Sequence, residues 1–335
     1  MANPVLIEIT RGAIVESVHR GSIAVLDATG DVVLALGDVE TPAYSRSSLK
    51  PMQALPLIES GAADAFGLGD EEIALACASH SGEPMHVSRV AAWLERLGLA
   101  ESDLACGAHP SRYEPVAEAM IRRSERPTRL FNNCSGKHAG FLTVARHWDI
   151  ATKGYEAVTH PVQQAVWSAL RELSDAKTLT AGIDGCAAPN FALSLTEFAR
   201  AAARMAAPNS LSKERAAASR RLLAAMVAHP ELVSGTGRAC ATLMRAAYGR
   251  AAVKAGAEGF YAAWVPEKGL GIAVKIDDGA GRAAETAIAA MLQALNLLDG
   301  SAPACAILRA PILNTRGAVV GERRPAAALA KLTLG

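Results

Sequence analysis

Aromatic residues are scarce in this chain: Phe, Tyr and Trp make up 4% of 335 residues. That is too few to build a stacking platform for single-stranded nucleic acid or sugars. Excess charge is missing as well. Lys and Arg number 34 against 33 Asp and Glu, a formal net charge of +1 with both signs well mixed, so nothing marks a nucleic-acid or acidic-membrane surface. No uninterrupted apolar run is long enough to span a bilayer. The opening residues, Met1-Ala2-Asn3-Pro4-Val5-Leu6-Ile7-Glu8, lack the basic start and long apolar core of an export signal, which points to the cytoplasm. Six cysteines in that setting are expected to be reduced thiols. No Cys-x-x-Cys or His-x-x-x-His pair anchors a metal site. Internal repeats and low-complexity linkers are absent too, so no obvious boundary divides the chain.

What is present is a half-hydrophobic chain, long enough to bury a large core. Short β-prone runs occupy residues 5–9, 14–19, 22–27 and 31–36, with Ala28-Thr29-Gly30-Asp31 as a hairpin turn between the last two. Helical periodicity follows over 87–97, 113–123, 139–148 and 161–173, and in two or three Ala/Arg-rich segments between 195 and 248. Residues 178–183 read as a strand. Sheet character returns at 259–265 and 270–276 around the turn Pro266-Glu267-Lys268-Gly269, and a long helix covers 281–298. The tail, 304–313 and 317–320, carries no clear pattern. Strands at both ends with helices between predict an α+β fold in one catalytic unit over 1–335. Its mainly antiparallel sheet would come from about 1–45 and 255–335, with a helical region over about 46–254 inserted.

The stretch Tyr44-Ser45-Arg46-Ser47-Ser48-Leu49-Lys50-Pro51-Met52-Gln53 lies where sheet gives way to helix. Leu49, Met52, Leu55 and Ile58 recur at helical spacing, Ser47 and Ser48 are N-cap residue types, and Pro51 is tolerated only in a first turn. A cap at Ser47 or Ser48 would put Ser47 and Lys50 three residues apart on one face, where a neutral lysine could take the serine proton. Ser-x-x-Lys also occurs at Ser174/Lys177, in a polar connection, and at Ser210/Lys213, in a densely charged segment. Apolar flanks distinguish Ser47/Lys50, since they would desolvate the amine. A capping serine beside a surface lysine is the competing explanation.

Four other stretches bunch small and polar residues where elements begin or end, which is where catalytic loops lie. They are Ser79-His80-Ser81-Gly82-Glu83, Asn132-Asn133-Cys134-Ser135-Gly136-Lys137-His138, Asp184-Gly185-Cys186, and Lys254-Ala255-Gly256-Ala257-Glu258-Gly259. Ordinary turns and caps explain each one taken singly. Cys77, Cys106, Cys240 and Cys305 sit among small apolar residues and read mostly as packed hydrophobes. Cys134 and Cys186 sit in polar loops near Lys137, His138 and Asp184, where two thiolates and a nitrogen could hold Zn²⁺ or simply remain free thiols.

Taken together, Ser-Ser-Leu-Lys-Pro-Met-Gln, Ala-Ser-His-Ser-Gly-Glu-Pro, Asn-Asn-Cys-Ser-Gly-Lys-His-Ala-Gly, Asp-Gly-Cys-Ala-Ala-Pro-Asn-Phe and Lys-Ala-Gly-Ala-Glu-Gly resemble the rhizobial-type (class 3) L-asparaginases. The motifs run in that family's order from about residue 44 to about residue 260. The resemblance implies a fold related to serine β-lactamases and serine-dependent glutaminases, a homodimer, and hydrolysis of L-asparagine to L-aspartate and ammonia. It implies two Ser–Lys tandems, Ser47 with Lys50 and Ser79 with Lys254, and Zn²⁺ on Cys134, Lys137 and Cys186. His80, Glu83, Asn133, His138 and Asp184 would face the substrate or stand just behind it. A β-lactamase or penicillin-interacting hydrolase shares the Ser-x-x-Lys helix and the late lysine–glycine loop. A glutaminase, and a non-catalytic zinc-binding scaffold, are the other competing readings.

Overall fold

Strands from the two ends of the chain meet in one antiparallel sheet. The computed structural model describes residues 2–334. Across the sheet the strands run Ala310–Leu313, Val319–Pro325, Val5–Arg11, Ile14–Asp27, Leu270–Ile276, Phe260–Val265 and Ala252–Ala255, and Val32–Leu36 also pairs with Ile14–Asp27. The fold is therefore α+β, with helical segments between the first and last strands. The two runs expected at 14–19 and 22–27 form one strand of 14 residues. It pairs with Val5–Arg11 as far as Arg20, and with Leu270–Ile276 from Gly21 onward. Gly21 is what permits the crossing. A Cβ there would lie 2.3 Å from the Lys275 carbonyl oxygen.

The chain divides into two compact units. The first holds the residues up to Ser48, Leu193–Ala207, and everything from Thr242 on. Besides the sheet it contains the helices Leu195–Ala206 and Gly281–Ala294, both packed on it. Ser194 starts the former with a capping box: its Oγ accepts from Glu197 N at 3.1 Å, and the Glu197 carboxylate accepts from Ser194 N at 2.8 Å. Ile7, Ile23, Val25, Ile272, Phe198, Phe260 and Trp264 are buried there, each contributing about 1.5–3 kcal/mol. The helix at 195–206, counted from the sequence within the inserted helical region, thus belongs with the sheet. The tail from 302 to 325, which had no legible pattern, supplies the helix Ala302–Leu308 and two strands.

The second unit holds Leu49–Ala192 and Pro208–Ala241. Its longer helices are Pro84–Arg96, Ser135–His147, Pro161–Ser174 and Lys213–Ala228. Ser135–His147 is buried from its first residue to Ala145. It begins four residues before the apolar periodicity expected from 139, so Lys137 and His138 lie in its first turn. Gly136 sets its distance from the helix Asp70–Ala76, because a Cβ would stand 2.4 Å from the Leu75 carbonyl oxygen. A hairpin pairs Ala181–Ile183 with Pro189–Leu193.

Candidate active site

Arg46–Leu49 is a 3-10 turn that runs into the helix Lys50–Gln53, followed by a separate short helix Leu55–Glu59. The single helix expected from Leu49 to Ile58 is therefore broken, and the physical reason is Pro56, which, like Pro51, is accepted only in a first turn. Neither serine is a cap. Ser48 Oγ instead donates to the Lys254 carbonyl oxygen at 2.9 Å, tying this turn to the strand Ala252–Ala255. Gly256 allows that approach: a Cβ would fall 2.5 Å from Ser45 O. Arg46, immediately before Ser47, holds a left-handed φ of +51°, a conformation costing about 1–3 kcal/mol for a residue with a Cβ. Ser47 is half-buried and Lys254 fully buried, its Nζ donating to Ala255 O at 3.0 Å.

Within the second unit Lys50 is buried among three oxygens. Its Nζ donates to Ala78 O, to Ser79 Oγ at 3.0 Å and to Asn133 O at 3.2 Å. Two of these are carbonyls and can only accept. Ser79 is the partner of the three that can reverse, giving its proton to a neutral amine. Ser79 N donates to Val233 O at 2.9 Å, fixing the loop that carries it. The contacts within each unit thus set Lys50 against Ser79 and the Lys254 backbone against Ser48, where spacing pairs Lys50 with Ser47 and the resemblance pairs Lys254 with Ser79.

Cys134, Lys137 and Cys186 form a second cluster in the same unit. Lys137 Nζ donates to Cys186 Sγ at 3.2 Å, and the Cys134 thiol hydrogen-bonds to Cys186. That hydrogen bond pulls Cys186 down against the effect of burial, with the Lys137 cation adding to it, while the same bond and burial push Cys134 up. The Cys134 thiol also reaches Asn133 Oδ1 at 3.5 Å. Burial works against the charged form of Lys137, but Cys186, Cys134 and Asp184 outweigh it and raise the lysine. Cys106 lies near enough for both thiols to help burial push it up to about 12. Among the described residues no three His, Cys, Asp or Glu side chains form a metal-holding group, so a site here needs the Lys137 amine as its third donor. Ala187, next to Cys186, is left-handed at φ +71°.

The residues expected near substrate divide into two kinds. His80 is fully buried, and both its ring nitrogens are taken: Gly82 N donates to Nδ1 at 3.1 Å, and Nε2 bonds Ser135 Oγ at 2.9 Å. Glu83 is held by Ser81 Oγ at 2.5 Å, Thr236 N at 2.9 Å and Thr236 Oγ1 at 2.6 Å. Through these bonds both residues hold loops together. Asn133 N donates to His109 Nε2 at 2.9 Å, and the Asn133 carbonyl serves Lys50. Asp184 accepts from Gly185 N at 2.6 Å and turns the Cys186 loop through Ala187 N and Ala188 O. His138 is fully buried, and burial with the nearby Lys137 cation drives it down to about 3. Its Nδ1 meets Tyr155 Oη at 2.5 Å. Tyr155, Thr236 and His109 have no signal in the sequence. None sits in a motif, and each acts through a contact made by folding.

A buried lysine amine set against a serine hydroxyl, as Lys50 is against Ser79, is an arrangement used by hydrolases that work through a serine nucleophile. The family model for L-asparaginase II matches residues 7–325, and the chain belongs to that family. Membership makes it an amidohydrolase. No curated protein matches the chain. Among solved structures it is similar to a β-lactamase from Mycobacterium bovis, at 17% identity and a TM-score of 0.41 over 79% of this chain and 89% of that one. It is similar at the same identity and TM-score to Mglu in its native form, over 90% of this chain and 70% of that one. Likeness at that level adds nothing to the family assignment.

Proposed function

We propose that the protein hydrolyses L-asparagine to L-aspartate and ammonia by covalent serine catalysis. The observation that carries this reading is the Lys50 amine, buried against Ser79 Oγ and two carbonyls, in a chain matched to the L-asparaginase II family from 7 to 325. Cleaving the side-chain amide needs a nucleophile, a proton for the departing ammonia and a base. Ser47 is the proposed nucleophile and Lys50, three residues on, its base. Ser79 returns the proton through Lys50, and Lys254 is the second lysine of the pair. Attack of Ser47 Oγ forms the acyl-enzyme as the C–N bond breaks and ammonia leaves. Water then cleaves the ester to L-aspartate and restores the hydroxyl.

Cys134, Lys137 and Cys186 are the residues that would hold Zn²⁺. Their chemistry fits: two buried sulfurs close together, with an amine 3.2 Å from one of them, are donors a zinc ion takes once their protons leave. When bound, zinc would fix the Cys134 and Cys186 loops and offer a positive charge to the amino-acid end of the substrate.

The deciding experiment is ammonia release from L-asparagine by purified protein, with L-glutamine and a chromogenic cephalosporin alongside. Asparagine turnover is expected, with Ser47→Ala reducing kcat at least about 10³-fold in a folded protein. Turnover of the cephalosporin alone, or of none of the three, would overturn the reading. Full activity in Ser47→Ala would move the nucleophile to Ser79.

A further inference from the structure

Tyr155 is one of five tyrosines and is buried, with hydrogen-bond partners on two sides. Ala105 N donates to its Oη at 2.9 Å, and His138 Nδ1 lies 2.5 Å from the same oxygen. A phenol carries one proton. If the imidazole donated here, that proton would have no acceptor among the contacts of Tyr155, so the phenol must give it to His138 Nδ1. A neutral imidazole accepting at Nδ1 carries its hydrogen on Nε2. That nitrogen is buried and has no hydrogen-bond partner among the described residues. The ring itself is held edge-on by Tyr155 and Phe141, at centroid distances of 5.5 and 6.1 Å.

We propose that Tyr155 is a positioning residue: it fixes His138 as the Nε2–H tautomer, so that this unpartnered donor is set to receive a carboxylate oxygen of the substrate. A buried N–H left unpaired is costly, and a fixed donor avoids the reorientation that a free side chain would undergo on binding. Lys137 and Lys50 lie near enough to act on His138, as do Cys134 and Glu156 with the opposite sign, which places the ring close to the Lys50–Ser79 pair. A fixed, neutral N–H donor suits an acceptor such as the carboxylate of an amino acid. Nothing in the sequence pairs Tyr155 with His138, and the role depends on a contact across 17 residues.

The inference rests on the asparaginase reading, which wild-type ammonia release tests separately. Nitrogen-15 NMR of labelled wild-type protein should show one histidine, identified by its loss in His138→Gln, with unprotonated Nδ1 and protonated Nε2. L-Aspartate, the product and a carboxylate ligand that is not consumed, should shift the Nε2 proton downfield. Tyr155→Phe should mix the two tautomers and raise KM for asparagine about tenfold while kcat stays within about twofold, the size expected for one buried hydrogen bond. An Nδ1–H tautomer in the wild type would overturn the proposal. So would an unchanged KM in Tyr155→Phe, or bound aspartate that leaves the Nε2 proton unmoved, which would make a water its partner. If Tyr155→Phe does not fold, the wild-type spectra with and without aspartate still decide.

Discussion

At Glu83 two opposing effects compete. Burial favours the protonated acid, while hydrogen bonds from Ser81 and from Thr236 favour the carboxylate and win, leaving the group below its ordinary value of 4.5. Its contribution to stability is therefore complete above pH 4.5 and is lost as the pH falls from there through the folded-state value. His80 and His86 are lowered too, and their effect on stability has the same sign. They stack at 4.9 Å, and burial holds both below 6.5, helped at His80 by repulsion from His86 and Lys50 and at His86 by repulsion from Arg89. The unfolded chain takes up those protons and the folded protein refuses them, so stability declines as pH drops below 6.5. Denaturant titrations from pH 7.5 to 3 should show both stages in the wild type. Glu83→Gln should be about 1–3 kcal/mol less stable at pH 7, with the gap closing below pH 4.5. A gap that stays constant with pH would show that the carboxylate charge is not what holds Thr236. A sequence displays Ser47 three positions from Lys50, but not Ser79, which reaches Lys50 across 29 residues, and not Thr236, 153 residues from Glu83.

At the scale of elements, three glycines set how close neighbouring segments lie. Gly136 brings Ser135–His147 against Asp70–Ala76, and Gly271 brings Leu270–Ile276 under Leu195–Ala206, where a Cβ would meet Ala199 O at 2.1 Å. Gly235 has φ +121°, and its Cβ would fall 2.0 Å from Ser81 Oγ. Gly136→Ala, Gly271→Ala and Gly235→Ala should each cost at least about 1–3 kcal/mol, read as a fall in Tm, whereas Gly107→Ala, with no heavy atom within 4 Å of the added Cβ, serves as the control. Melting points like that of the control would refute the close packing. A proposed zinc would join the start of Ser135–His147 to the hairpin that carries Cys186. Metal analysis of protein never exposed to chelator should then find about one zinc per chain, absent from a Cys134→Ala/Cys186→Ala variant. Metal loss should raise KM more than it lowers kcat; a metal-free wild type would remove zinc from the account. Helix periodicity placed most helices to within a few residues. It missed the break at Ala54 because apolar spacing continues through Pro56, and it missed the residues after 302 because two short strands and a seven-residue helix are too brief for a period to emerge.

For the whole molecule, a sheet drawn from both ends could be read directly, since turn signals and β-branched runs concentrate there. The division into two units could not. No linker composition marks Ser48, Ala192 or Ala241, and the helix Leu195–Ala206 carries the same alanine-rich pattern as the helices that belong to the other unit. Its partner is chosen by Gly271, some seventy residues further on. Among the described residues no helix is long and apolar enough to cross a membrane.

The place of Val5–Arg11 in the sheet has a consequence for synthesis. One neighbour, Ile14–Asp27, follows at once, but the other, Val319–Pro325, pairs with it across a span such as the 316 residues between Glu8 and Arg324. At about 5–20 residues per second, a ribosome takes roughly 15–60 s to make that stretch. Throughout that interval the first strand has left the exit tunnel with one row of amides and carbonyls uncovered, and Ile7 and Ile9, buried in the finished protein, flank it. Such an edge can pair with the same strand of a neighbouring nascent chain on the polysome. The yield of active protein should therefore depend on translation speed and on holdase chaperones more than its final stability would imply.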